Sequence, residues 1–220
     1  MGNLFISNQA LKMQEYLFNQ GEYPFSNRPY YFLVIKMIKP ENEKVIINFL
    51  EELLFEAYFL KLDQEIIVFY FEEYDFKNVI VSMSDDFSLS LSCFQSKKMN
   101  PEKPSYFHTL LSSFHQQFHN RTFVFVDIAD LIIGLVKTDK DLLKPLVPII
   151  LDRLYNDSQF EQIIRAVLDN DLNVSQAAQS VYMHRNTMIN KLELIKAETG
   201  LNIQHFKDAF CMYWLLHHKK

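Results

Sequence analysis

The chain has 220 residues and is 49% hydrophobic, enough for one or two packed domains, which argues against intrinsic disorder. Only 4 Gly and 2 Cys are present, so Gly-rich phosphate loops, Cys-x-x-Cys pairs and a disulfide framework are excluded, and Cys93 and Cys211 are expected as reduced thiols. The net charge of −5 counts against a nucleic-acid partner for the chain as a whole; from Ser158 onward, however, seven Lys/Arg face six Asp/Glu, net +1, leaving −6 on the first 157 residues.

The start, Met1-Gly2-Asn3-Leu4-Phe5-Ile6, has neither a basic leader region nor a Ser or Thr where myristoylation requires it. No run of about 18 apolar residues exists; the nearest, Phe123 to Val136, is broken by Asp127 and Asp130. A soluble cytoplasmic protein with no membrane partner is expected. Ser7 to Asn19 reads as a short amphipathic helix with Leu11, Tyr16, Leu17 and Phe18 apolar, ended by Gly21 to Pro24. Tyr30 to Ile38 is a nearly continuous apolar run, the pattern of a strand buried on both faces, stopped by Lys39-Pro40. Glu41 to Ala57 turns helical, with Val45, Phe49, Leu53 and Ala57 in one row and Ile46, Leu50 and Leu54 beside it. Tyr58 to Leu62 and Glu65 to Phe71 form a hairpin around Asp63-Gln64; Asp75 to Asp86 reads as a helix and Phe87 to Phe94 as a strand. This order predicts a small α+β layer with helices on one face of the sheet.

Lys97 to Pro104 is a loop, and Ser105 to His119 a helix that places His108, His115 and His119 on one face. A metalloprotease pair would need Glu where Gln116 stands, so these histidines read as solvated surface and no metal is expected. Thr122 to Val126 reads as a strand and Asp127 to Val136 as a helix capped by Asp127; Thr138 to Lys144 is the expected linker. Leu146 to Leu154 and Phe160 to Leu168 follow as helices. Two domains result: 1–137, an α+β regulatory or dimerisation domain with a small mixed sheet, and 138–220, all helical.

Within the second domain, 173–199 reads as two helices around a tight corner. Ser175 caps the first, Ala177 and Ala178 give it a small face that allows close crossing, and Tyr182, Met183 and His184 make the turn. The second helix runs from Arg185 to Glu198, hides Met188, Leu192 and Ile195, and stops at Gly200. His184, Arg185 and Thr187 sit at its exposed entry end, and Asn186 and Asn190 lie opposite the hidden stripe. Arg forks onto guanine or phosphate, Asn pairs two ways with adenine, and Lys191, nearer the flank, suits backbone phosphate. Double-stranded DNA in the major groove is the expected partner, read by His184, Arg185, Asn186, Thr187, Asn190 and Lys191. Tyr182 stands where many such turns use Gly, and Glu193 puts an acid on the outward face. Ile203 to His217 is a last helix whose stripe, Phe206, Phe210, Tyr213 and Trp214, reads as core and whose packing should cover Leu194. His217, His218, Lys219 and Lys220 fit a phosphate contact or a solvated end equally well.

From Asn173 onward, and over Phe160 to Leu216 as a whole, the chain resembles the C-terminal DNA-binding domain of the PucR/CdaR family of bacterial transcriptional regulators. The resemblance rests on His184-Arg185-Asn186-Thr187 followed by Lys191, Leu192 and Ile195. It implies a regulator that binds DNA as a dimer or larger oligomer. More weakly, the first domain resembles the degenerate nucleotide-cyclase-like domain of the CdaR branch. The hairpin that carries Gly-Gly-Asp-Glu-Phe in active diguanylate cyclases here reads Lys61-Leu62-Asp63-Gln64-Glu65-Ile66, without either glycine, and Lys36 to Lys39 offers no carboxylate for Mg2+.

No nucleophile elbow, phosphate loop or dinucleotide fingerprint occurs, and the pairs Glu51-Glu52, Glu72-Glu73 and Asp85-Asp86 are adjacent, so their members point apart. Neither catalysis nor a cofactor is expected. Two other function classes stay open: a first domain that binds or processes a nucleotide or a small-molecule effector with the second as a protein adaptor, and a helix-turn-helix that serves protein contacts alone.

Overall fold

The computed structural model describes residues 7–37, 42–86, 91–118 and 125–219. The chain start, the Lys39-Pro40 stop, the first half of the strand expected from Phe87, His119 and the start of the strand expected from Thr122 lie outside these. Two units are distinguished, Met1–Asp127 and Ile128–Lys220.

In the first unit, the β-branched and aromatic runs Tyr31–Met37 (β1), Ala57–Leu62 (β2), Glu65–Tyr70 (β3), Leu91–Gln95 (β4) and Phe125–Val126 (β5) form one sheet in the order β2-β3-β1-β4-β5. All pairs are antiparallel except β4 with β5, so the sheet is mixed as expected. Register places Phe32 opposite Phe69 and Leu33 opposite Val68, and alternation sends these two pairs to opposite faces. On one face Leu33, Ile35, Val68 and Cys93 pack with Ile46 and Leu50 of helix Glu43–Leu53 (α2) and Phe76 and Ile80 of helix Phe76–Asp86 (α3). On the other, Phe32 meets Phe107 at 4.9 Å and Phe94 stacks on Phe114 at 4.7 Å, both rings from helix Ser105–Phe118 (α4). Phe18 of helix Asn8–Phe18 (α1) meets the same Phe107 at 6.0 Å. Helices therefore cover both faces, which corrects the one-faced layer. Central strands that send apolar residues to both faces, as Phe32 and Leu33 of β1 and Val68 and Phe69 of β3 do, require that cover.

Two helices bury only some of the apolar positions expected of them. In α1 the hidden residues are Ala10, Met13, Tyr16 and Leu17, with Leu11 and Phe18 largely exposed; Ser7 caps it by accepting from the Ala10 N–H. In α2, Ile46 and Leu50 are buried and Val45 is exposed, and the helix ends at Leu53 because Leu54 turns extended to enter β2.

The second unit is helical: Ile128–Thr138 (α5), a 3-10 turn over Lys140–Leu146, Val147–Leu151 (α6), a short turn Asp152–Leu154, Ser158–Asp169 (α7), Val174–Ser180 (α8), Arg185–Thr199 (α9) and Phe206–His217 (α10). The expected boundary at 137/138 is displaced to 127/128, because α5 belongs to this unit: Cys211 Sγ of α10 lies 3.5 Å from the Ala129 carbonyl, and Lys207 pairs with Asp130 at 2.9 Å. The expected linker is a packed turn, with Leu143 and Leu146 fully buried and Asp139 accepting from the Asp141 N–H. On α10 Phe206, Phe210 and Tyr213 of the aromatic stripe face outward, Phe206 being 79% and Tyr213 53% exposed, while Ala209, Cys211, Met212, Leu215 and Leu216 form the core. The core role given to that stripe is thus corrected for Phe206, Phe210 and Tyr213, while Trp214 is half-buried, and Leu194 stays exposed.

Candidate nucleic-acid interface

The α8–α9 pair is built from small residues and three caps. Ala177 and Ala178 are buried where the helices cross, as their size requires. The first cap is Asn173, not Ser175; its Oδ1 accepts from the Ser175 and Gln176 N–H groups. At the exit of α8 the Tyr182 N–H donates to Gln179 O and the Met183 N–H to Ala178 O, the paired closure of a helix end. This closure holds Tyr182 at φ 53, a left-handed conformation that costs a non-glycine residue roughly 1–2 kcal/mol. His184 then caps α9, with Nδ1 accepting from the Asn186 N–H at 3.3 Å, which requires the ring proton on Nε2.

Recognition-helix candidates need one buried side and one free side. Met188, Leu192 and Ile195 are 0–3% exposed, and the C-terminal turn is pinned by Glu198, whose two oxygens accept from Arg153 at 2.6 and 3.1 Å. Gly200 ends the helix in the left-handed region with its N–H on Lys196 O. Across from that side His184, Arg185, Asn186, Thr187 and Asn190 are all exposed. Lys191 is half-buried and donates to Gln159 of α7 at 3.0 Å, so it stands at the flank, tethered to the scaffold. Glu193 is exposed on the outer side, as expected.

Charge is mostly cancelled within the unit, which carries eleven Lys/Arg and eleven Asp/Glu. Arg153 pairs with Glu198, Arg165 and Lys219 with Glu161, Lys144 with Asp141 and Lys207 with Asp130. The hydrogen bonds from Lys219 and Arg165 hold the Glu161 carboxyl below its usual range. Lys219 is therefore packed rather than part of a free basic tail. Arg185 has no carboxylate among the described residues and stays available to an incoming anion.

Residues 161–217 match the PucR C-terminal helix-turn-helix domain. The second unit carries a PucR-type helix-turn-helix domain. Uncharacterized protein YxkF of Bacillus subtilis (strain 168) is 24% identical over 82 residues, spanning 37% of this chain and 28% of that protein. The regulator of polyketide synthase expression from Bifidobacterium adolescentis aligns over 97% of this chain and 87% of its own at 11% identity, with a TM-score of 0.43. The PucR-type domain contains all six predicted contact residues; its cap at Asn173 escaped the sequence reading because Ser175 nearby has the same capping chemistry, and that at His184 because His184 was read as part of the turn.

His108 and His115 are half-buried and partnered, correcting the solvated reading for these two: His108 Nε2 lies 2.7 Å from the Leu17 carbonyl, and His115 Nε2 lies 2.9 Å from Glu65. Among the described residues no group of three His, Cys, Asp or Glu is placed to hold a metal. The hairpin turn has Asp63 at φ 50, and Lys61 beside it is paired with Glu43 at 2.6 Å. A cleft lined by Arg28, Leu54, Glu56, Tyr70, Phe71 and Tyr74 encloses about 170 Å³, whereas small-ligand sites usually span roughly 300–1,000 Å³. No described helix is long and apolar enough to cross a membrane.

Proposed function

We propose that the chain is a cytoplasmic, DNA-binding transcriptional regulator that lays α9 in the major groove and acts as a dimer, with Met1–Asp127 as a regulatory or dimerisation part. The carrying observation is the division of α9. Met188, Leu192 and Ile195 are hidden, while Arg185, Asn186, Thr187 and Asn190 stand free at and beyond the entry end, next to the His184 cap. Arg185 and the two Asn supply forked and bidentate base readers, Thr187 and His184 a phosphate or a base edge, and Lys191 a backbone charge at the flank.

The dimer draws on two features. A helical unit with equal numbers of positive and negative residues has little electrostatic attraction to spare, so two copies on one site gain by avidity what one lacks in charge. Phe206, Phe210, Tyr213 and His217 also recur at 4-3-4 spacing on the exposed side of α10, an uncharged stripe suited to a second identical helix. Selection of duplexes from a random pool tests the proposal. Enrichment of a motif with two-fold symmetry is expected, and a pool that stays random after repeated rounds overturns it.

A further inference from the structure

The left-handed corner of the helix-turn-helix is occupied by a large aromatic residue that does nothing for the fold. Tyr182 holds φ 53 and is 100% exposed, and its side chain makes no hydrogen bond or ring contact among the described residues. Glycine fits this position without strain. Leu172, the other bulky apolar residue with positive φ in this unit, is half-buried, so packing offsets its conformation. Nothing offsets that of Tyr182.

Tyr182 lies two residues ahead of the His184 cap. A duplex that takes Arg185 to Thr187 into its groove must therefore run one sugar–phosphate strand past this corner. A phenol there offers an O–H donor to a phosphate oxygen and a flat ring to the sugar. We propose that Tyr182 is a backbone-positioning contact whose hydroxyl donates to a phosphate flanking the groove that receives α9, fixing the depth and register of Arg185 and Asn190. The inference rests on the reading of α9 as a groove-binding helix, and it adds a contact that carries no sequence information.

The test uses the full-length protein with two labelled duplexes, a selected site and a scrambled one of about three helical turns, plus thermal unfolding. Tyr182→Gly relieves the backbone and removes the contact, so its unfolding midpoint rises by roughly 2–4 °C. Its affinity falls about tenfold, by the same factor on both duplexes, as expected for a phosphate contact. Tyr182→Phe leaves the midpoint unchanged and loses most of the same affinity. The proposal is overturned by a Gly variant that binds like wild type, by a Phe variant with full affinity, by a loss confined to the selected duplex, or by a lower midpoint for Gly. Wild-type protein that binds neither duplex would instead refute the groove-binding reading itself.

Discussion

Replacing Arg153 by Ala tests how α9 is fastened to its scaffold. The Glu198 side chain is 7% exposed and both its oxygens lie on the guanidinium, at 2.6 and 3.1 Å, while Arg153 is 63% exposed. Breaking a fully buried pair costs about 3–5 kcal/mol; with one partner in water the Coulomb part is screened, and about 1–2 kcal/mol is expected instead. Trp214 is the single tryptophan and lies in α10, so its fluorescence follows unfolding of this unit alone. With an m-value near 1 kcal/mol/M for so small a unit, the urea midpoint should drop by about 1–2 M. Glu198→Gln in the Arg153→Ala background should recover part of the loss, giving a coupling of about 1 kcal/mol in the double-mutant cycle. Single variants that add without coupling, or an unchanged midpoint for Arg153→Ala, would show that the pair does not hold α9.

Three more outcomes follow from packing and titration. Ala177→Leu at the α8–α9 crossing, where Ala177 is fully buried, should cost about 1–3 kcal/mol by the same fluorescence assay and weaken DNA binding with it. Gly21→Ala would bring a Cβ within 3.0 Å of Glu15 and Tyr16 main-chain atoms, so a loss of about 1–3 kcal/mol is expected in the first unit, read by far-ultraviolet circular dichroism. Burial raises the phenol of Tyr16 from 10.0 to about 12, and those of Tyr23, Tyr30 and Tyr70 are raised in the same direction and chiefly by burial. The folded state thus keeps the protons the unfolded chain releases, so this stability is intact below pH 10 and is lost as pH rises towards 12. A first unit equally resistant to urea at pH 8 and pH 11 would contradict this.

Residue patterns revealed the parts of the fold in which one face is distinctly apolar. The α8–α9 corner is of this kind, whereas strand β1 and the hairpin around Asp63 were legible as nearly unbroken apolar runs bounded by turn residues. In α10 the pattern fails because the helix is apolar nearly all round: Cys211, Met212, Leu215 and Leu216 compete with Phe206, Phe210 and Tyr213, and a helical wheel cannot rank them. In α2 two parallel apolar rows differ by one residue, and only the packing partner chooses between them. The segment Thr138 to Lys144 looked like a linker from its charges, yet Leu143 within it and Leu146 just beyond anchor it in the core. The partner of His115 is Glu65, fifty residues away, a contact that no local spacing reveals. At the candidate interface the residue types and their side of α9 were readable; the His184 cap, the Gln159 tether on Lys191 and the unsupported Tyr182 needed coordinates.

Binding of Arg185→Ala to a selected duplex and to single-base variants of it tests the central claim most directly. If Arg185 reads a base from the entry end of α9, affinity for the selected duplex falls by about 1–3 kcal/mol and discrimination disappears at one position of each half-site. Unchanged affinity with discrimination intact at every position would contradict groove reading by this helix.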